Sequence, residues 1–166
     1  MKIELVQLDI NDSNDIYLML QEIPQEENGF MNSAHGKTFE EFKTWLIESD
    51  SSSKTKELVD GWKVPSSTYW LYVNGTPVGI GKIRHFLTEK LLEEGGHIGY
   101  AIRPSERNKG YGTILLKRLL STAKNMGIDN ILLTIRNDNV HSLKVAISNR
   151  GIIEKSNDTR SYVWIR

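Results

Sequence analysis

Apolar residues along the chain switch between two periods, and the switches mark the elements. Residues 3–8 alternate apolar with polar and predict a short strand. Ile16, Leu18, Met19, Leu20 and Ile23 then recur at helical spacing behind Asp12 or Ser13 as cap, and Pro24 closes that helix. Residues 25–37, with Gly29, Phe30, Met31, Asn32 and Gly36, read as a loop with apolar tips. Thr38 with Glu41 three residues on is a capping box, and Phe39, Phe42, Trp45, Leu46 and Ile47 give a second helix its face over 38–49. The polar run from Asp50 to Lys56 reads as a mobile loop.

From Thr68 the texture becomes β. Residues 69–73, the turn Asn74-Gly75 and residues 78–84 predict a hairpin, because Asn-Gly suits the positive backbone angles of tight hairpin turns. A short helix is expected over 89–94, a break at Gly95-Gly96, and a strand over 97–102. A long helix from about Lys109 to Met126 follows, with Leu115, Leu116, Leu119, Ala123 and Met126 on one face and Gly127 as C-cap. Residues 131–135 suit a buried strand, Asp138 or Asn137 caps a helix running to Asn149, and 151–154 and 162–166 close as strands. The order predicts an α/β protein: one domain, one mixed sheet, flanking helices.

Composition narrows the chemistry. A chain of 166 residues is long enough for one self-sufficient core. Twenty-one basic and 21 acidic residues cancel, so no global field draws the protein to nucleic acid or an anionic membrane. The chain has no cysteine, which excludes thiol nucleophiles, disulfides and thiolate zinc sites and fits a reducing cytoplasm. No apolar run nears the roughly 20 residues of a membrane span, and the N-terminal residues lack a signal-peptide core. His35, His85 and His141 show no metal-ligand spacing, so no metal is expected.

The most informative stretch is Ile98-Gly-Tyr-Ala-Ile-Arg-Pro-Ser-Glu-Arg-Asn-Lys-Gly-Tyr-Gly-Thr113. A strand, a turn and a glycine-bearing loop run straight into a helix, which places free backbone N–H groups and a positive helix end at the end of a strand. That is an anion site, most simply for a pyrophosphate. Gly110 and Gly112 let a bulky ligand approach the backbone, N–H groups from Asn108 to Thr113 converge, and Arg107 and Lys109 add charge at the rim. A plain strand-to-helix turn is the competing reading. A Rossmann fingerprint would need glycine where Leu115 stands, and no Gly-Lys-Ser/Thr opens the helix as a P-loop requires.

This run resembles motif A of the GNAT superfamily of N-acetyltransferases, Arg/Gln-x-x-Gly-x-Gly/Ala, and Asn139-x-x-Ser142 resembles the motif that follows it. Residues 92–100 are similar to a branch of uncharacterised bacterial acetyltransferases. The resemblance covers nearly the whole chain and implies a mostly antiparallel sheet with two central parallel strands, 97–102 and 131–135, that splay apart. It implies acetyl-CoA as cosubstrate: Tyr100, Ala101 and Ile102 as partners of the pantetheine arm, Arg107, Asn108, Lys109, Gly110, Tyr111, Gly112 and Thr113 around the pyrophosphate, and Asn139 with Ser142 from the far side. A helix cap accounts for Asn139 equally well. Residues 68–166 would be the acetyl-CoA core and 1–67 a variable acceptor-side part.

Acetyl transfer to an amine needs the neutral amine, a donor to the developing oxyanion and a proton for the departing thiolate. The family's tyrosine acid, seven residues after the asparagine, is replaced by Ala146. Tyr100 and Tyr111 are substitutes, though both also read as packing. His97 and Glu94 are the candidate catalytic groups, with Glu93 beside them; a structural hydrogen bond competes for His97 and a solvated charge for Glu94. Phe30, Trp45, Trp62, Trp70 and Tyr72 are candidates to line an acceptor pocket, against the plainer role of core, and Glu26, Glu27 and Glu89 to select a cationic acceptor. The expected function is N-acetylation of a small or amino-acid-like amine. The alternatives are a non-catalytic acyl-CoA-binding module and an acetyltransferase for protein N-termini or lysines. A homodimer through an exposed strand or helix face is compatible with the pattern.

Overall fold

The computed structural model describes residues 1–55 and 61–166; Lys56, the end of the predicted polar loop, lies outside the described residues. In chain order the first half comprises β1 (Ile3–Gln7), α1 (Asn14–Glu22), β2 (Glu26–Glu27), β3 (Phe30–Met31), α2 (Phe39–Lys54), β4 (Ser66–Val73) and β5 (Thr76–Arg84). The second half comprises α3 (Glu89–Glu93), β6 (Ile98–Ile102), α4 (Tyr111–Asn125), β7 (Ile131–Arg136), α5 (Val140–Ser148), β8 (Ile152–Ser156) and β9 (Arg160–Ile165).

The chain folds as a single α/β domain in which helices flank a mostly antiparallel sheet. Strands β1-β4-β5-β6 form one ladder series and β7-β9-β8 another, and all their pairings are antiparallel. The two series meet at one point. His97 N–H donates to the Leu132 carbonyl at 2.8 Å, and Gly96 bridges Leu133. β6 and β7 touch near their starts and share no ladder beyond, as expected of a pair that splays apart.

Period-two alternation gives the first series two apolar faces. Trp70, Ile80 and Ala101 pack beneath Phe42, Leu46, Ile16 and Met19 of α1 and α2. Leu71, Ile83 and Ile98 pack against Leu115, Leu116 and Leu119 of α4. Gly81 permits the second contact, because a Cβ there would stand 2.5 Å from Leu119 Cδ1. Trp45 stacks on Phe42 and touches Trp70, so these aromatics are core. Buried Asn32 donates to the Leu20 and Ile23 carbonyls, both at 2.8 Å, and so completes the end of α1.

Three local expectations change. Residues 25–37 contain the short hairpin β2–β3, anchored by buried Phe30. Helix α2 starts at its Thr38–Glu41 capping box but runs on through Asp50–Lys54, where Lys54 pairs with Asp50 at 2.9 Å. Asn139, rather than Asn137 or Asp138, caps α5. Asn137 is engaged by the Asn157 carbonyl and the Ser161 hydroxyl, and Asp138 pairs with Arg136.

Candidate functional site

Beyond their contact at His97 and Leu132, β6 and β7 border an open cavity of about 900 Å³. Its walls also include the β6–α4 loop, the start of α5 and the β2–β3 hairpin. Backbone direction decides which groups of β6 face it. Arg84 N–H donates to the His97 carbonyl and Arg103 N–H to the Val78 carbonyl. Antiparallel pairs alternate, so Gly99 and Ala101 bond to β5, whereas Tyr100 and Ile102 turn their N–H and C=O groups away from it, toward β7. Arg107 Nε donates to the Ile102 carbonyl at 2.9 Å, which leaves Tyr100 with both groups free. Ala101, expected among the backbone partners, contributes instead to the β5 ladder and the core.

The loop that follows offers a row of free backbone N–H groups. Among the described residues, none of the N–H groups from Asn108 to Thr113 has a protein acceptor. Asn108 (φ +63°) and Gly110 (φ +81°) take left-handed conformations, and Gly110 caps the 15-residue α4, which therefore starts two residues later than expected. Gly112 is different. A Cβ there would meet Tyr100, Val145 and Ile102 only at 3.8–4.0 Å, so the protein's own packing does not require glycine. The space it leaves opens toward the cavity that it lines.

The charged rim is arranged otherwise than the sequence suggests. Arg107 forms an ion pair with Glu27 of β2, and Lys109 pairs with Glu106 at 2.8 Å. Glu22 of α1 accepts from Arg103 and from the Ser105 N–H and hydroxyl. The front part of the chain thus braces the loop, and Arg107 acts as a strut. Glu27 is spent on that strut and is not left to select a cation, whereas Glu26 accepts one Gly29 N–H and keeps its charge at the cavity. Tyr111 packs on the core below α4, and the Thr113 carbonyl accepts from Asn149. Asn139 uses both ends of its amide on Ser142, accepting from its N–H at 3.3 Å and donating to its hydroxyl at 2.9 Å.

Residues 32–150 match the family model described as acetyltransferase (GNAT) family. The chain belongs to the GNAT acetyltransferase family. Solved structures agree in fold at low identity. An S. pneumoniae acetyltransferase of the GNAT family is 18% identical with a TM-score of 0.64, over 98% of this chain and 97% of that one. The C. jejuni N-acetyltransferase PseH in complex with acetyl coenzyme A is 14% identical, TM-score 0.60, with 99% of each chain covered. RimL, a ribosomal L7/L12 alpha-N-protein acetyltransferase solved with coenzyme A, is 15% identical, TM-score 0.71, over 100% of this chain and 94% of that one. No curated protein sequence matches. No helix among the described residues is long and apolar enough to cross a membrane. No group of three His, Asp or Glu residues among them is placed to hold a metal ion.

Ala146 is fully buried, and its carbonyl accepts from Gly151 N–H, so α5 offers no side chain there. Tyr100 Oη is buried with no partner at hydrogen-bond geometry, and its neighbour Ser142 accepts from Asn139 Nδ2. Burial pushes the Tyr100 hydroxyl above its ordinary value, with Ser142 pulling the other way. His97 is committed to structure. Its Nδ1 accepts from Leu132 N–H at 3.0 Å, which puts the ring proton on Nε2 and leaves no lone pair for an amine. Glu94 lies at the cavity rim, 3.4 Å from Arg160.

Burial, then Arg84, holds the His97 imidazole below its ordinary 6.5. The folded protein therefore keeps His97 neutral while the unfolded chain takes up a proton near pH 6.5, and stability falls as pH drops below that value. The unfolding free energy from urea titrations should decline between about pH 7 and 5.5. His97→Gln retains an acceptor for Leu132 N–H and should flatten part of the decline; His85, shifted in the same direction, supplies the rest. Parallel slopes for the two proteins would dismiss this role.

Lys82 and Arg84 also line the cavity, and the sequence singled out neither as a site residue. The available signal was two charges two residues apart in an otherwise apolar strand.

Proposed function

We propose that the protein is an N-acetyltransferase that moves an acetyl group from acetyl-CoA to the amine of a small or amino-acid-like acceptor. The observation that carries the reading is the cradle: consecutive unpartnered N–H groups from Asn108 to Thr113, with open Gly112 at the head of α4, beside the free backbone of Tyr100. Acetyl-CoA supplies an activated thioester. The cradle and the positive end of α4 hold its pyrophosphate, and the Tyr100 and Ile102 backbone groups hold its pantetheine arm. Asn139 acts on this ligand through Ser142 and the start of α5. Residues 68–166 form the donor half, and 1–67 brace it and shape the acceptor side.

The Tyr100 hydroxyl, buried and protonated at neutral pH, is the candidate proton donor where the family's tyrosine is absent. Glu94, at the rim, is the candidate proton acceptor. Phe30, packed over Gly99, narrows the acceptor side and favours a small amine over a protein chain. Buried Ala146 and committed His97 favour one second reading, a module that binds acyl-CoA without turnover. Free CoA released from acetyl-CoA across a panel of amines separates the two. Release above background with at least one amine is expected; tight binding with no release for any would select the module.

A further inference from the structure

The acceptor side of the cavity carries positive charge that no carboxylate among the described residues balances. By alternation along β5, Lys82 and Arg84 share the face of Ile80, the face covered by α1 and α2. Thr68, Lys82 and Gly99 form one row across β4, β5 and β6. The neighbour of Lys82 toward the open edge therefore has no side chain, and Phe30 stands over that gap: a Cβ on Gly99 would lie 3.3 Å from its ring. Lys82 and Arg84 both line the cavity.

Among the described residues, the Lys82 ammonium has neither a hydrogen bond nor an ion pair. Arg84 gives one N–H to the Gly96 carbonyl at 3.0 Å and meets no carboxylate. Four of the cavity's acids pair with other cations, Glu27 with Arg107, Glu94 with Arg160, Glu106 with Lys109 and Asp138 with Arg136, and neither Glu26 nor Asp158 forms an ion pair with Lys82 or Arg84. Burial, followed by the Arg84 and Lys63 charges, lowers the proton affinity of Lys82. A desolvated ammonium without a counter-charge is strongly disfavoured. Lys82 could relieve this by losing its proton, but Arg84 beside it cannot, so the site stays cationic. An anion supplied by the ligand removes the penalty.

We infer that Lys82 and Arg84 seat an anionic group of the acceptor, a carboxylate or a phosphate, so that the acetylated amine belongs to a small molecule carrying an acid. The inference rests on the acetyltransferase reading. The same cations also disfavour a protonated amine nearby, which helps to deliver the acceptor in its reactive neutral form.

The test measures CoA release with matched amines: amino acids against their carboxamides, and O-phosphoethanolamine against ethanolamine. The acid member of at least one pair should be preferred at least tenfold in kcat/KM. The pair that shows the preference tells carboxylate from phosphate. Lys82→Met should collapse that preference below threefold with acetyl-CoA affinity unchanged by calorimetry, and Lys82→Arg should restore it. If Lys82→Met does not fold, Lys82→Gln takes its place. Equal use of both members in all pairs, or a preference that survives Lys82→Met, overturns the inference and leaves the acetyltransferase reading intact. If no amine releases CoA, that reading falls separately. Succinate and inorganic phosphate titrated into CoA-saturated protein then decide: binding lost in Lys82→Met supports the anion seat, and absent or unchanged binding overturns it.

Discussion

Gly112→Glu should abolish measurable acetyl-CoA binding while the protein stays folded. The two halves of that result have separate causes. For the fold, a Cβ at Gly112 meets its neighbours only at ordinary contact distance, and the residue lies inside α4. Replacing a helical glycine gains up to about 1 kcal/mol, and a carboxylate in the first turn adds a few tenths through the helix dipole. For the ligand, the same carboxylate enters the cradle, competes for the N–H groups from Asn108 to Thr113 and repels a pyrophosphate. A rise in Kd of at least about 100-fold is expected, equivalent to roughly 2.7 kcal/mol. Gly112→Ala isolates bulk from charge and should weaken binding less, by about tenfold, or 1.4 kcal/mol. Calorimetry reads the affinity and thermal melting the fold. An unchanged Kd in a folded Gly112→Glu protein would remove the cradle assignment. Gly110 is a poorer probe, because its φ of +81° strains any substitute whatever the ligand does.

The reason Gly112 could be found in the sequence also explains what could not. The cradle is local: strand, loop and helix lie within 16 consecutive residues, and their order alone aligns the N–H groups. The Asn74-Gly75 hairpin and the Thr38–Glu41 box are equally local, and both appear as expected. Errors cluster where distant partners decide. Asn137, Asp138 and Asn139 are comparable caps in sequence, and Asn137 is removed from contention by Asn157 and Ser161, some 20 residues away. Arg107 looked free for a phosphate until Glu27, 80 residues earlier, claimed it. Two-residue strands such as β2 and β3 carry no period to detect. His97 has a suitable side chain for a base, yet only the tertiary contact with Leu132 shows that its lone pair is taken. Lys82 is the converse case, since the sequence shows the charge but not that it lacks a partner among the described residues.

Gly96→Ala should damage stability and acetyl-CoA binding together, because Gly96 sits where β6 and β7 are pinned before they part. Its φ is +65°, and a Cβ there would stand 2.5 Å from the Leu132 carbonyl oxygen and 3.1 Å from its carbon. Those atoms are backbone, so no side-chain rotation relieves the clash. The neighbouring Gly95, by contrast, faces only the movable ends of Leu91 and Arg84. Relief at Gly96 must shift β7, and that shift strains both His97 N–H to Leu132 O and Leu132 N–H to His97 Nδ1. The left-handed conformation costs about 1–2 kcal/mol and a weakened buried hydrogen bond about 1–3, so a total loss near 2–5 kcal/mol is expected. Urea unfolding measures it. Moving the junction also changes the separation of the strands at Tyr100 and Ile135, which line the same cavity, and acetyl-CoA should bind about tenfold more weakly, or 1.4 kcal/mol. Full affinity in a destabilised Gly96→Ala protein would mean that the spacing of the cleft is set elsewhere, with the Glu22 and Glu27 struts the next groups to test.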